Sequence, residues 1–480
     1  MQLDAIYSEH MVLQRHALVK ITGICDNDEK IVITFQGKSY FAINKKNRFT
    51  VLLPTGYAGG PYTMTIQGNQ TLIFNYIYVG DVYLLGGQSN MEFKVHQLRD
   101  AADCISNAVF DNIYYYQTPQ VEYQQKGKDY PTFEKARWQK ASAETIESFS
   151  AIGYYIAKQL DQVGIPIGFV ECNKGGTSAS CWVDEEELKS DPDLYQIYIQ
   201  KYYQGIETQS DEEEDAARED YFAKYNAYQD QVTAYQKKYP ERSVSQMKQD
   251  IGHTPWPLPH GHKDYCRPAG LYETMFSRIS QYTFKAVVYY QGEEDAHNGN
   301  LYARLLKRLV TLWRHKLGQI PFFIVQLPKY QDDKTPLWPY IRDAQKQICE
   351  TLHDCHLVVS IDEGEQFNIH PVVKEKCGTR VGQSIIEHIY QRCEGIDSPK
   401  LISYIKTSKS IILEFDQTLQ DLNHGKGFMI DDQIVVPKVE DHLLIFECCG
   451  HNLQYAFENY PNISIYNKKG TPLSPFILTI

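Results

Sequence analysis

The sequence predicts an α/β protein. The expected core is a doubly wound parallel sheet with helices on both faces, flanked by small all-β modules and carrying a helical insertion. Three observations predict it. Residues 81–397 alternate short apolar strands with amphipathic helices. Residues 1–80 and 398–480 are runs of short β-branched segments separated by Gly, Asn and Asp. Residues from about 185 to 262 interrupt the alternation with a long, polar, helix-prone stretch.

Taken in order, ALVKITGIC, KIVITFQG, SYFAIN, RFTVLLP, YTMTIQG and TLIFNYIYVG are strands of an N-terminal β-sandwich-like module. From Asp81 the texture changes. VYLLGG precedes a helix, and IPIGFVECN follows the helix SAIGYYIAKQLDQV. KAVVYYQG precedes NLYARLLKRLVTLWRHKLG, PFFIVQLP precedes YIRDAQKQICETLH, and HLVVSID precedes KEKCGTRVGQSIIEHIYQR. The insertion holds the acidic run DEEEDAARED, which is expected to be solvated. After Ser398 the strands KLISYIKT, SIILEFD, GFMIDDQIVVPKV, HLLIFECC and NISIYN form the C-terminal β-module.

Composition removes several function classes. A formal charge of −12 opposes binding to nucleic acid or to an anionic membrane. No apolar run is long enough to span a bilayer. The N-terminus MQLDAIYSEHMVLQR lacks a basic region followed by an apolar one. Its eleven cysteines are scattered, odd in number, and form no disulfide framework. Reduced thiols and a cytoplasmic location are expected; a periplasmic or secreted location requires that a leader was removed. The 36 tyrosines suit either glycan contact or the faces of several sheets.

Chemistry-capable residues gather at the predicted strand ends, where ligand sites of such sheets lie. VYLLGG runs into Gln88-Ser89-Asn90. IPIGFVECN runs into Lys174-Gly175-Gly176-Thr177-Ser178, and KAVVYYQG into Gln291-Gly292-Glu293-Glu294-Asp295. HLVVSID leads through Asp362 to Asn368-Ile369-His370-Pro371. Ser89 alone reads first as a helix N-cap, the commoner role, and only with partners elsewhere in the chain as a nucleophile. The carboxylates of the Gln291 loop also raise a glycosidase pair, but one loop rarely supplies both flanking carboxylates. His260, His262 and Cys266 have a spacing that a metal could use, yet no fourth ligand is identifiable, and no metal or cofactor is expected.

These stretches resemble the sialate O-acetylesterase family, within the SGNH-hydrolase class. The resemblance rests on MVLQR, GQSNME, PIGFVECNKGGTSASCW, RPAGLYETM with YYQGEEDA, IHPVVKEKCGTRVG and the closing YAFENYP. It covers nearly the whole chain except the insertion. It departs from the G-x-S-x-G elbow, since Met91 stands where that motif needs glycine.

The resemblance implies an SGNH-type sheet and a serine esterase acting on an O-acetylated carbohydrate, with no cofactor. Ser89 is then the nucleophile and His370 the general base, with Pro371 expected to open the following helix. The backbone N–H groups of Ser89 and Gly176 and the Gln291 amide are the expected oxyanion donors. Asp295 stands where the family commonly has asparagine, and an ionised carboxylate donates nothing. Many SGNH enzymes place an aspartate three residues before the histidine; Phe367 is there instead. Asp362 is therefore the expected acid behind His370, with a backbone carbonyl as its alternative. Gln88, Asn90, Trp182, Glu293 and Arg267 are the expected substrate contacts, although Trp182 could be core and Arg267 a salt bridge. O-acetylated sialic acid is the expected substrate; the alternatives are acetylxylan or another acetylated glycan and, in another class, a glycan-binding protein without catalysis.

Overall fold

The computed structural model describes residues 1–26, 28–124, 136–331 and 337–480. The chain divides into two compact units. The first comprises residues 1–202, 262–289 and 308–322, and the second residues 203–261, 290–307 and 323–480.

In the first unit, alternating side chains build the N-terminal strands. Arg48–Pro54 turns Phe49, Val51 and Leu53 inward and pairs antiparallel with Leu18–Ile24. The parallel sheet follows a different rule. Ile167–Asn173 is buried at every position, as a strand covered on both faces must be. It lies between Val109–Gln117 and Thr71–Gly87, parallel to both. Ala286–Tyr290, also fully buried, adjoins Thr71–Gly87 on its other side. The chain thus leaves Thr71–Gly87 in one direction and returns on the other side. The crevice beyond the carboxyl end of such a strand is where ligands bind in open α/β sheets.

Thr71–Gly87 is one continuous strand of 17 residues, so the expected boundary at residue 80 falls inside it. Its first half pairs antiparallel with Gly59–Gln67, and its second half joins the parallel sheet. The MVLQR segment clasps the midpoint. Val12–Gln14 pairs parallel with Tyr78–Gly80. Arg15 donates to both oxygens of fully buried Asp81 at 2.9 Å, and Gln14 Nε2 donates to Asp81 Oδ1 at 2.9 Å. A buried carboxylate requires such partners.

In the second unit, Phe322–Val325 and Cys355–Val358 are neighbouring strands. Residues 401–479 form small antiparallel sheets around a core that includes Leu413, Phe428, Leu444, Tyr455 and Ile465. The acidic run opens the helix Asp211–Lys238 and is mostly exposed. Ser210 caps it, and Asp211, Glu212, Glu213 and Glu214 occupy its first turn, where the helix dipole favours negative charge. A second insertion helix, Val244–Ile251, is capped by Ser243. Among the described residues, no helix is long and apolar enough to cross a membrane.

Candidate active site

In the first unit, Ser89 is the first residue of a one-turn helix, Ser89–Glu92, at the end of the long strand. The cap position belongs to Gln88, whose carbonyl accepts the Met91 and Glu92 N–H groups at 2.9 Å. Ser89 is therefore not the cap. It is partly exposed, while Gln88 and Asn90 on either side are buried. Ser150 anchors the turn from below: its hydroxyl donates to the Met91 carbonyl at 2.7 Å and caps its own helix by accepting from Gly153 N at 3.1 Å.

Parallel register brings the glycine loop alongside. Asn173 pairs with Gly87, so both chains leave the sheet at the same level. Lys174 N–H donates to the Gly87 carbonyl at 3.2 Å, and Gly175 N–H donates to Glu92 Oε2 at 2.5 Å. A Cβ on Gly175 would lie 3.3 Å from the Ser89 Cβ, which explains the missing side chain. Gly176 has φ +72°, a left-handed conformation that glycine adopts without strain. Cys266 Sγ donates to the Gly176 carbonyl at 3.3 Å and braces the turn.

In the second unit, the Gln291 side chain is held at both ends. Its Nε2 donates to Asp295 Oδ2 at 2.6 Å, and Tyr302 Oη donates to its Oε1 at 2.9 Å. Gln345 Nε2 also donates to the Gln291 carbonyl at 2.9 Å. Asp295, which cannot donate when ionised, instead fixes which way the amide faces. Glu293 is buried close enough to Lys374 and Tyr290 to act on both electrostatically. Gly292 has φ +146°, and a Cβ there would strike Ile341 at 2.6 Å.

His370 lies in a loop organised by Asn368 and Glu365. Buried Asn368 donates from Nδ2 to the His370 carbonyl at 2.6 Å, and its Oδ1 accepts the His370 N–H at 3.2 Å. Glu365 accepts the Val372 N–H at 2.9 Å and the Ser245 hydroxyl at 3.1 Å. Burial pushes the His370 imidazole down to about 3, and the nearby Lys248 and Lys374 ammonium groups push the same way. Burial lowers both of those lysines to about 8.

Residues 260–391 match the family model described as carbohydrate esterase, sialic acid-specific acetylesterase. That stretch holds the Gln291 and His370 loops. The chain is a carbohydrate esterase. It is 24% identical to the sialate O-acetylesterase of Mus musculus over 458 residues, covering 86% of this chain and 76% of that protein. The sialate O-acetylesterase of Rattus norvegicus is 25% identical over 346 residues, covering 65% of this chain and 55% of that protein. A carbohydrate acetylesterase from Xanthomonas citri superposes with a TM-score of 0.78 at 22% identity, covering 99% of both chains, and shares the fold.

The structure gives four of the residues named from the sequence definite surroundings: for Trp182 and Arg267 the structural alternative, and for Asp362 and Pro371 a setting other than the expected one. Asp362 is engaged by Arg380, which donates to its two oxygens at 2.5 and 2.7 Å, with Lys376 at 3.7 Å. It makes no hydrogen bond to His370. A carboxylate ending a strand attracted the acid role, but a guanidinium 18 residues on takes both oxygens in a bidentate grip. Trp182 is fully buried, donating from Nε1 to Thr177 Oγ1 at 2.9 Å; it supports the glycine loop instead of facing a sugar. Arg267 donates to the carbonyls of Glu122 and Asp264 at 3.0 and 3.2 Å and pairs with Glu273, so it is a structural clamp. Pro371 does not open the next helix, which begins at Glu375.

Sequence reasoning missed Tyr302, Gln345 and Lys248 in the esterase, and the side-chain role of Asn368. Asn368 had a readable signal, since an Asx side chain two residues before the histidine can close a local turn. Lys248 had none, because it lies 120 residues from Asn368.

Proposed function

We propose that the esterase removes O-acetyl groups from sialic acids through an acetyl-enzyme on Ser89. The observation that carries this reading is the position of Ser89: partly exposed, flanked by buried neighbours, at the carboxyl end of the strand where the chain reverses direction. Ser89 Oγ attacks the acetyl carbonyl while neutral His370 takes the hydroxyl proton. The Ser89 and Gly176 N–H groups and the Gln291 amide stabilise the oxyanion. His370 returns its proton to the leaving sugar oxygen. Water then attacks the acetyl group, again losing a proton to His370, and acetate departs. The names of the mammalian relatives support sialic acid as the sugar. Acetate release from O-acetylated sialic acid and from acetylated xylan, measured side by side, tests the choice; faster release from xylan overturns it. No acetate from either sugar or from an aryl acetate leaves a glycan-binding protein.

The depressed histidine gives the mechanism a pH signature. A base needs its neutral form, and an imidazole lowered to about 3 stays neutral well into acid. With an aryl acetate, the acidic limb of kcat/KM is expected below about pH 5, against about 6.5 for an unperturbed imidazole. A limb between about 6 and 7 would contradict the partly buried, cation-flanked histidine. Stability follows the same sign: below about pH 6.5 the unfolded chain takes up a proton that the folded one refuses, so acid favours unfolding.

Serine–histidine chemistry assigns no task to a cation. Incubation with EDTA followed by desalting is therefore expected to leave acetate release unchanged. A large loss that zinc restores would refute the metal-free mechanism.

A further inference from the structure

We infer that Lys248, on the insertion helix Val244–Ile251, is a positioning residue for His370, so that the insertion is part of the catalytic apparatus. This rests on the Ser–His reading above. Lys248 Nζ donates to Asn368 Oδ1 at 2.8 Å, the same oxygen that accepts the His370 N–H. Asn368 holds the His370 carbonyl through its other atom. One ammonium therefore fixes a carboxamide that grips both backbone polar groups of the histidine. A carboxamide can flip; a cation on its oxygen forbids the flip, because the NH2 end would then face the ammonium. Three residues earlier on the same helix, Ser245 donates to Glu365, which also accepts from Asn368 Nδ2 at 3.3 Å. The helix thus grips the histidine loop at two points.

The ammonium has a second effect. The charged groups acting on the imidazole are Lys248 on this helix and Lys374 ahead of the helix Glu375–Tyr390, and both oppose imidazolium. Glu363, Glu293 and Glu365 act on Lys374 from the loops around it, and Glu365 acts on Lys248. Removing Lys248 deletes one of the two repelling cations, so the histidine gains proton affinity. A residue that merely stabilised the fold would not move the titration of His370.

The test compares Lys248→Met, Lys248→Gln, Lys248→Arg and His370→Gln in the full chain, with kcat, KM and pH profiles measured on an aryl acetate. Lys248→Met is expected to lose on the order of 100-fold in kcat with little change in KM, the size of effect that a misplacement of about 1 Å produces. Its acidic limb should rise by about one unit, as loss of a nearby like charge implies. Lys248→Gln keeps a donor and loses the charge, so its limb should rise while kcat falls less. Lys248→Arg keeps both and should hold the limb in place. A Lys248→Met or Lys248→Gln enzyme with the wild-type limb overturns the proposal, whichever of the two folds better. Turnover surviving in His370→Gln overturns the Ser–His reading itself, a distinct outcome.

Discussion

Ser89→Ala is expected to abolish acetate release while the protein stays folded. Removing the nucleophile of a Ser–His mechanism costs on the order of 10⁶ in kcat in a well-studied serine protease, and about four orders of magnitude or more is expected here. Folding should survive because the hydroxyl is not the cap; the turn is held by backbone bonds to Gln88 and by Ser150 beneath it. The measurement is acetate released from an aryl acetate and from O-acetylated sialic acid, with circular dichroism as the control for folding. Turnover within about tenfold of wild type, or 1.4 kcal/mol in barrier height, would remove Ser89 from the chemistry.

Asp362→Asn is expected to damage stability and spare catalysis. Its carboxylate and the Arg380 guanidinium are both nearly buried, with side-chain exposures of 4% and 11%. Neutralising one partner leaves the other charge enclosed, a change that typically costs about 3–5 kcal/mol. Arg380 also donates to the carbonyls of Val359 and Gly470, so the loss would loosen contacts well beyond one loop. The midpoint of thermal unfolding should fall by several degrees. Meanwhile kcat/KM per folded molecule should stay within about tenfold, since no hydrogen bond joins this aspartate to His370. Unchanged unfolding together with a loss of about 10⁴ in kcat would restore Asp362 as a triad acid.

What was legible in the sequence was local. The apolar run before GQSN, the fully buried IGFVECN and the glycines of the loop after it announce a parallel sheet with chemistry at its edge, because strand burial and turn geometry depend on residues close together in the chain. The acidic run is the solvated face that its charge predicts, but charge alone does not distinguish a loop from a helix start, and Ser210 with Glu213 was the capping signal that decides it. Trp182 and Arg267 were left between core and site, and Asp362 between acid and bystander, for one shared reason. Each residue type serves equally well in a core or a site, and only its distant partner decides between them. Thr177 lies near Trp182 in sequence, but Arg380 and the Glu122 carbonyl do not lie near the residues they bind. Lys248 was invisible on the same grounds.

The long strand Thr71–Gly87 has a consequence for how the esterase can be cut or recombined. An N-terminal β-module is usually treated as a detachable accessory. Here a chain starting at residue 81 would begin midway along the strand whose far end carries the proposed nucleophile. It would also strand Asp81, fully buried, without the Arg15 and Gln14 side chains that neutralise and solvate it. Such an orphaned charge costs about 3–5 kcal/mol, a large share of the roughly 5–15 kcal/mol that holds a typical protein folded. Shuffling the front module between relatives would therefore have to carry the clasp and the whole strand along, making residues 1–87 the smallest exchangeable piece.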